Sequence, residues 1–287
     1  MVKAKPAFSL DDLRRRIDEI DDGLQDLLVR RAELVETVMG LKQSGGVAPF
    51  RPGREAQILR RLVARHSGAF PRASLVRLWR ELLGATVSMQ TDLSLAVCSG
   101  CGDLTRDHFG IRVPLLDVPS GAQVVLAINE VRALLGVVPL VEAEGAEPWW
   151  LHVLDPENAK IRVVARLPFG SIGNAMDGCA DAFVIASMEP DPSGDDCTVF
   201  AIASPEELDS AALTKALLDV GIDSNPLGLA ASGRGAVHLI EIDALLEPGD
   251  ARIGQALARL RAGARAAWLG FYARPLDDAS LGGIVPE

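Results

Sequence analysis

The feature that most constrains this chain is a long amphipathic run near its beginning. Apolar residues fall at Leu10, Leu13, Ile17, Ile20, Leu24, Leu27, Leu34, Val38 and Leu41, in steps that alternate three and four. Such alternation predicts one helix over residues 9–43 with a heptad seam. Ser9, with Asp12 three residues on, is a start signal, and Gly45-Gly46 ends the run. At 1.5 Å per residue the helix is about 50 Å long. A bundle of some 80 residues cannot cover a stripe of that length, so a partner chain is the natural cover. One seam position holds a charge, Arg31.

Two more helices follow. Pro52 is a favoured first-turn residue, and the stripe Ile58, Leu59, Leu62, Val63 predicts a helix that stops by Ser67-Gly68. A third runs from about Ser74 to Gln90, with Leu75, Leu78, Trp79, Leu82 and Leu83 expected to face inward and Thr86 and Gln90 continuing that stripe with polar groups.

After Thr91 the texture changes. Strands are expected at Leu93–Cys98, Val113–Val118, Val124–Ile128, Gly136–Val141, Ile161–Ala165 and Ala182–Ala186, in an α/β segment with a turn-rich linker at Asp191–Asp196. The remainder reads strand Thr198–Ala203, helix Pro205–Val220, strands Leu227–Ala231 and Ala236–Asp243, helix Asp250–Ala262 and strand Ala267–Ala273. That β-α-β-β-α-β order is ferredoxin-like. The expected organisation is a multidomain chain: an all-α helical domain at 8–91, an α/β domain at 92–193 and a ferredoxin-like domain at 194–275.

The chain has 287 residues and a net charge of −10. Residues 1–91 hold 16 lysines and arginines against 11 acidic residues, the rest 13 against 28. A basic segment in an acidic protein points to an anion handled there. No apolar run approaches the ~18 residues of a membrane span. The first residues show no secretory pattern, and four cysteines fit a reducing cytoplasm. The cysteines and histidines show no metal-ligand spacing, and Trp149-Trp150 reads as core or interface packing.

Arg31 and Lys42 share a face of the first helix, about 16 Å apart along the axis. Arg14 precedes Arg31 by about 25 Å, so it joins the same small-ligand site only if a second, antiparallel chain brings it there. On spacing alone Arg14 and Lys42 read simply as solvated charges, and Thr86 with Gln90 as a satisfied polar pair. Arg31 is different, because a seam arginine is costly to desolvate without an anion or carboxylate to meet it.

Leu13-Arg14-x-x-Ile17, Asp21, Arg31-x-x-Leu34, Lys42, Arg54-Glu55 and Thr86-x-x-x-Gln90, in this order and spacing, make residues 10–90 similar to the all-helical chorismate mutase domain that many bacteria fuse to prephenate dehydratase. The resemblance implies an intertwined homodimer, with Arg14 donated across, in which chorismate rearranges to prephenate without cofactor or metal. It implies that Arg14 and Arg31 hold the carboxylates, Lys42 and Gln90 donate to the ether oxygen, and Glu55 accepts from the ring hydroxyl. Arg54 would orient Glu55 or add positive potential, and Thr86 would support a carboxylate. Arg51 stands where some members carry aspartate.

Residues 92–275 faintly resemble prephenate dehydratase followed by its ACT regulatory domain. Gly136-Val-Val-Pro-Leu140 matches the start of a family motif, but Val141-Glu142-Ala143 replaces its Glu-Asn-Ser end. The catalytic Thr-Arg-Phe aligns with Asp181-Ala182-Phe183 or Thr198-Val199-Phe200, both without arginine, and Gly228-Leu229-Ala230-Ala231 replaces the phenylalanine-binding Glu-Ser-Arg-Pro. The implied reading is a cytoplasmic chorismate mutase with a degenerate dehydratase-like half. The alternatives are a bifunctional enzyme with diverged residues and, from another class, a non-catalytic module that senses a metabolite or anion. Nucleic-acid binding fits less well, since it wants basic residues on an exposed groove-facing surface.

Lys42→Ala is expected to lower kcat for chorismate on the order of 10²–10³-fold, the usual cost of one preorganised oxyanion donor. Near-native turnover by the variant would remove Lys42 from that role.

Overall fold

The computed structural model describes residues 8–42, 50–140, 146–170, 179–206, 208–232, 235–260 and 263–282. The chain divides into two compact units between Pro49 and Phe50.

The first unit is one helix, α1 (Leu10–Lys42). Its start is fixed as the sequence predicts: Asp12 N donates to Ser9 Oγ at 3.1 Å, and Ser9 Oγ donates back to Asp12 Oδ2 at 2.7 Å. Along the seam Leu10, Leu13, Ile17, Ile20, Leu24, Leu27, Leu34 and Val38 are all exposed in the single chain.

The second unit begins with α2 (Pro52–Arg65) and α3 (Arg72–Gln90). Ala56, Leu59 and Val63 of α2 and Val76 and Leu83 of α3 share a core with Phe169, Ala273 and Leu281 from much later in the chain. The face of α3 turned inward is the expected one only in part: Leu83 is buried and Trp79 packs against this core, but the stripe is rotated. Val76, Arg80, Leu83 and Val87 are buried, whereas Leu78 is exposed. Gly84 permits that face, because there α3 runs against backbone: a Cβ on Gly84 would lie 2.0 Å from the Phe109 carbonyl oxygen.

The strands β1 (Leu95–Cys98), β2 (Leu115–Val118), β3 (Leu135–Pro139), β4 (Arg162–Leu167), β5 (Ala182–Ala186), β6 (Asp196–Ser204), β7 (Ser224–Ser232), β8 (Gly235–Ile242) and β9 (Arg265–Ala273) form one sheet. Its order is β2-β1-β3-β5-β4-β9-β6-β8-β7. β1 pairs in parallel with β2 and β3, and β5 runs antiparallel to β3 and β4. From β9 to β7 every neighbour is antiparallel. The two halves meet where β9 lies parallel to β4 at Val163 and Gly270. Gly270 has φ +126°, and a Cβ there would stand 2.4 Å from the Val163 carbonyl oxygen, so only glycine fits.

Side-chain alternation sends Ala96 and Cys98 of β1 to one face and Leu95 and Val97 to the other. The first face is covered by α5 (Gly121–Asn129) and α6 (Trp149–Val153), the second by α4 (Gly102–Phe109). The strand expected at Val124–Ile128 is therefore corrected to helix. Ser120 caps it, its Oγ accepting from Gln123 N at 3.4 Å, and a short buried apolar run fits either structure by periodicity alone. Trp149 and Trp150 are both buried in this layer, and Trp150 lies against Gly228 of β7. The helices α7 (Ser210–Leu218) and α8 (Ala251–Ala258) cover Phe200, Ile202, Ile240 and Ile242, and a last short helix, α9 (Asp278–Leu281), places Leu281 beside α3.

Gly84→Ala should cost about 1–3 kcal/mol, the usual range for overpacking. It would appear as a lower urea midpoint with an unchanged slope, and an unchanged midpoint would show that α3 is not held against Phe109.

Candidate functional site

The cationic candidates Arg14, Arg31 and Lys42 belong to α1 in the first unit, and the polar residues of α2 and α3 belong to the second. Arg14 is exposed and pairs with Asp11 at 3.4 Å. Arg31 is half-buried on the seam. Lys42 closes α1, and its side chain lies outside the described residues.

In the second unit the structure separates neighbours that the sequence groups together. Arg54 points outward and donates to Gln57 Oε1 at 3.3 Å. Glu55, one residue on, turns inward with Ala56, Leu59 and Val63. Its Oε2 accepts from Arg80 Nη1 at 2.8 Å, and both residues are less than a tenth exposed. Thr86 Oγ1 donates to Leu82 O at 2.7 Å and Gln90 Nε2 to Thr86 O at 3.1 Å, so both half-buried side chains bond back into their own helix.

Arg80 is the functional candidate that the sequence reading passed over. Its signal was the 76-80-83-87 spacing, which puts a guanidinium on an apolar stripe. The charge centre sits 4.9 Å from the centre of the Phe169 ring, and the group lines a small pocket with Pro52, His108, Ala165, Arg166, Phe169 and Ala273. Burial raises the Glu55 carboxyl above its ordinary value against the pull of Arg80, and burial lowers Arg80 against the pull of Glu55. His108 on α4 is held well below the usual imidazole range by burial and by the Arg80 charge, so it is neutral at pH 7.

The linker preceding β6 is part of this site rather than a passive tether. Asp191 Oδ1 accepts from Gly53 N at 3.0 Å, and Asp191 also pairs with Arg51 at 3.2 Å. A carboxylate at the α2 N-terminus meets both unsatisfied amides and the positive end of the helix dipole. Further along α2, Arg60 donates to Ser193 Oγ at 2.8 Å, Asp195 O at 2.7 Å and Arg274 O at 2.8 Å.

A second charged cluster crosses the sheet joint. Arg166 donates to Glu241 Oε2 at 2.8 Å and to Asp181 Oδ1 at 3.4 Å, and Tyr272 donates its hydroxyl to the same Glu241 oxygen. Burial and the Glu241 charge push the phenol up, so it stays protonated. Of the aligned dehydratase positions, Ala182 is fully buried at the start of β5, while Thr198 accepts from Leu246 N and donates to Ala244 O. Val141, Glu142 and Ala143 lie outside the described residues. Among the described residues no group of three or more His, Cys, Asp or Glu is arranged to hold a metal, and no helix is long and apolar enough to cross a membrane.

The family model described as chorismate mutase type II matches residues 13–91. The N-terminal segment is a type II chorismate mutase domain. The chain is homologous to proteins named bifunctional chorismate mutase/prephenate dehydratase. That of Aquifex aeolicus is 26% identical over 161 residues, 53% of this chain and 44% of the relative. The chain spans less than half the length of the curated relatives it matches. Among solved structures, one titled as GqqA, a novel type of quorum quenching acylase, is 17% identical, with a TM-score of 0.44, covering 65% of this chain and 96% of its own. A prephenate dehydratase from Streptococcus mutans is 18% identical, with a TM-score of 0.42, covering 64% and 100%. Likenesses of that degree assign no activity. In the mutase segment, Glu55 and Arg80 belong to α2 and α3, and Phe169 and His108 come from beyond residue 91.

His108 gives the fold a pH dependence. Its folded-state pKa is lowered, so the unfolded chain takes up the proton first as pH falls through about 6.5. Stability should therefore fall below that pH by up to ~1.4 kcal/mol per unit from this group. His108→Gln should remove that part of the slope in urea unfolding at pH 7.5 and 5.5, and an identical slope in the variant would refute the assignment.

Proposed function

We propose that this chain rearranges chorismate to prephenate, with the chemistry carried by its N-terminal helices in a homodimer in the cytoplasm. The observation that carries the reading is the family match over residues 13–91, which includes Arg14, Arg31, Lys42, Arg54, Glu55, Thr86 and Gln90. The rearrangement is a unimolecular pericyclic step that requires no nucleophile and no obligatory proton transfer. The protein's work is to hold the dicarboxylate in its compact conformer and to meet charge developing on the ether oxygen. Arg14 and Arg31 suit the carboxylates because a guanidinium fork makes bidentate, permanently charged contacts. Lys42 and Gln90 are the donors to the ether oxygen, Glu55 accepts from the ring hydroxyl, Arg54 adds positive potential and Thr86 supports a carboxylate.

The exposed seam of α1 supports the homodimer. Stripes of this kind are covered by a second helix, and an antiparallel second chain is what brings its Arg14 into the site. The C-terminal stretch supports an ACT-like, ferredoxin-like reading through its β6-α7-β7-β8-α8-β9 succession and its antiparallel order β9-β6-β8-β7. We read the segment before it as a dehydratase-like domain that has lost its chemistry, since neither alignment of Thr-Arg-Phe retains the arginine. The bifunctional reading is the second one, favoured by the names of the curated relatives.

The test is loss of chorismate absorbance with purified protein, with phenylpyruvate formation from prephenate followed in parallel and size measured by light scattering. Turnover of chorismate by a dimer, with no phenylpyruvate formed, is expected. Phenylpyruvate formation would establish the bifunctional reading, and a turning-over monomer would overturn the shared site.

A further inference from the structure

The mutase segment does not bury its α2–α3 face within itself. Ala56, Leu59, Val63, Val76 and Leu83 pack with Phe169, Ala273 and Leu281, and at the polar end of that contact a charged pair inside the mutase segment meets Phe169 from beyond it. Arg80 Nη1 donates to Glu55 Oε2 at 2.8 Å while its guanidinium lies over the Phe169 ring. Glu55 is the residue on this face with a role in the proposed rearrangement, and its side chain keeps about a tenth of its surface open.

We propose that Arg80 is a positioning residue for the mutase reaction: held by Phe169, which follows β4, it binds one Glu55 oxygen and so sets the orientation of the carboxylate that accepts the chorismate ring hydroxyl. This rests on the mutase reading. A carboxylate on α2 has free rotamers unless something fixes them, and each degree of freedom lost before substrate arrives lowers the cost of reaching the reactive geometry. The guanidinium fixes one oxygen by direction as well as charge. Its own position is over-determined by the aromatic face beneath it and by burial of the α3 stripe. The chain beyond residue 91 thereby enters the chemistry without touching substrate.

The charged surroundings are mixed. Glu55 faces Arg80 from α3 and Asp191 from the linker before β6, itself paired with Arg51. Arg80 faces Glu55, Asp107 and His108, with Arg166 on the wall of the same pocket. Removing the Arg80 charge leaves Glu55 among a carboxylate and apolar surface, which favours its neutral form.

The test compares steady-state chorismate kinetics of the full chain with those of Arg80→Lys, Arg80→Met and Phe169→Leu, each first checked for a cooperative melt. Arg80→Lys keeps the charge and loses the directed fork. It should lower kcat about ten- to a hundredfold with KM within about twofold. Arg80→Met should also move the acid limb of the kcat profile to higher pH. If that variant does not fold, Phe169→Leu replaces it, with a smaller loss of kcat and unchanged KM expected. A folded Arg80→Lys or Phe169→Leu with native kcat and pH profile, and only a lowered melting temperature, overturns the proposal and leaves a structural ion pair. Absence of turnover in the unaltered chain instead overturns the mutase reading on which the proposal rests.

Discussion

A charge removed from water must find a partner, and the placement of α2 and α3 follows from how Glu55 and Arg80 do so. Neither ion is stable alone at under a tenth exposure; losing either one costs about 3–5 kcal/mol, far more than the net worth of the pair. The pair therefore acts chiefly as a constraint. It fixes the rotation of α2 and α3 about their own axes, because only one facing of the helices brings 55 to 80 at 2.8 Å. Once that facing is set, the apolar residues on the same stripes lie against Phe169, Ala273 and Leu281, and Gly84 comes against the Phe109 backbone. The ends of α2 are then tied by Asp191 at the first turn and by Arg60 further along.

The sheet repeats this logic at its joint. Its two halves are paired in register at Val163 and Gly270, a parallel ladder too short to be a strong seam by itself. Arg166, Glu241 and Tyr272 cross it from β4, β8 and β9 with direct hydrogen bonds, and Trp150 reaches from α6 to Gly228 at the far edge strand. Hydrogen-bond geometry supplies register where the ladder is too short to do so, and aromatic area supplies burial. Arg166 also lines the pocket beside Arg80, so the joint and the α2–α3 contact are neighbours.

Much of this fold was legible in residue order. The α1 seam and its Ser9–Asp12 cap, the starts of α2 and α3, and most strands were readable because each depends on local periodicity or a terminal signal. Val124–Ile128 was misread as strand because a five-residue apolar run carries no period of its own; the helix is decided by Ser120 and by packing on β1 and β3. The facing of α3 was legible only at Trp79 and Leu83, for a different reason. Counting leucines favours Leu75, Leu78 and Leu82, but the buried stripe contains an arginine whose partner lies 25 residues earlier and whose aromatic floor lies 89 residues later. No local window contains all three. Asp191 likewise read as linker because its role as an N-terminal partner of α2 is set across 138 residues. The candidate residues on α1 were visible as charges interrupting or flanking a seam, and what they bind is a matter of the family match rather than of helix geometry.

In the mutase reading, the exposed seam of α1 carries a consequence for how the activity arises. Eight large apolar side chains stand open on the seam of this 33-residue helix, and burying each is worth about 1.5–3 kcal/mol. Helices draw most of their stability from such packing rather than from intrinsic propensity, so covering the seam and holding α1 straight are one event. Arg31 sits within that seam, and in the proposed site it meets a substrate carboxylate. In the proposed dimer, binding of a substrate carboxylate at Arg31 and closure of the seam would favour one another, so association and anion binding would be thermodynamically linked. In that dimer dilution would act as an inhibitor, because opening the seam would withdraw the partner's Arg14 from the proposed site.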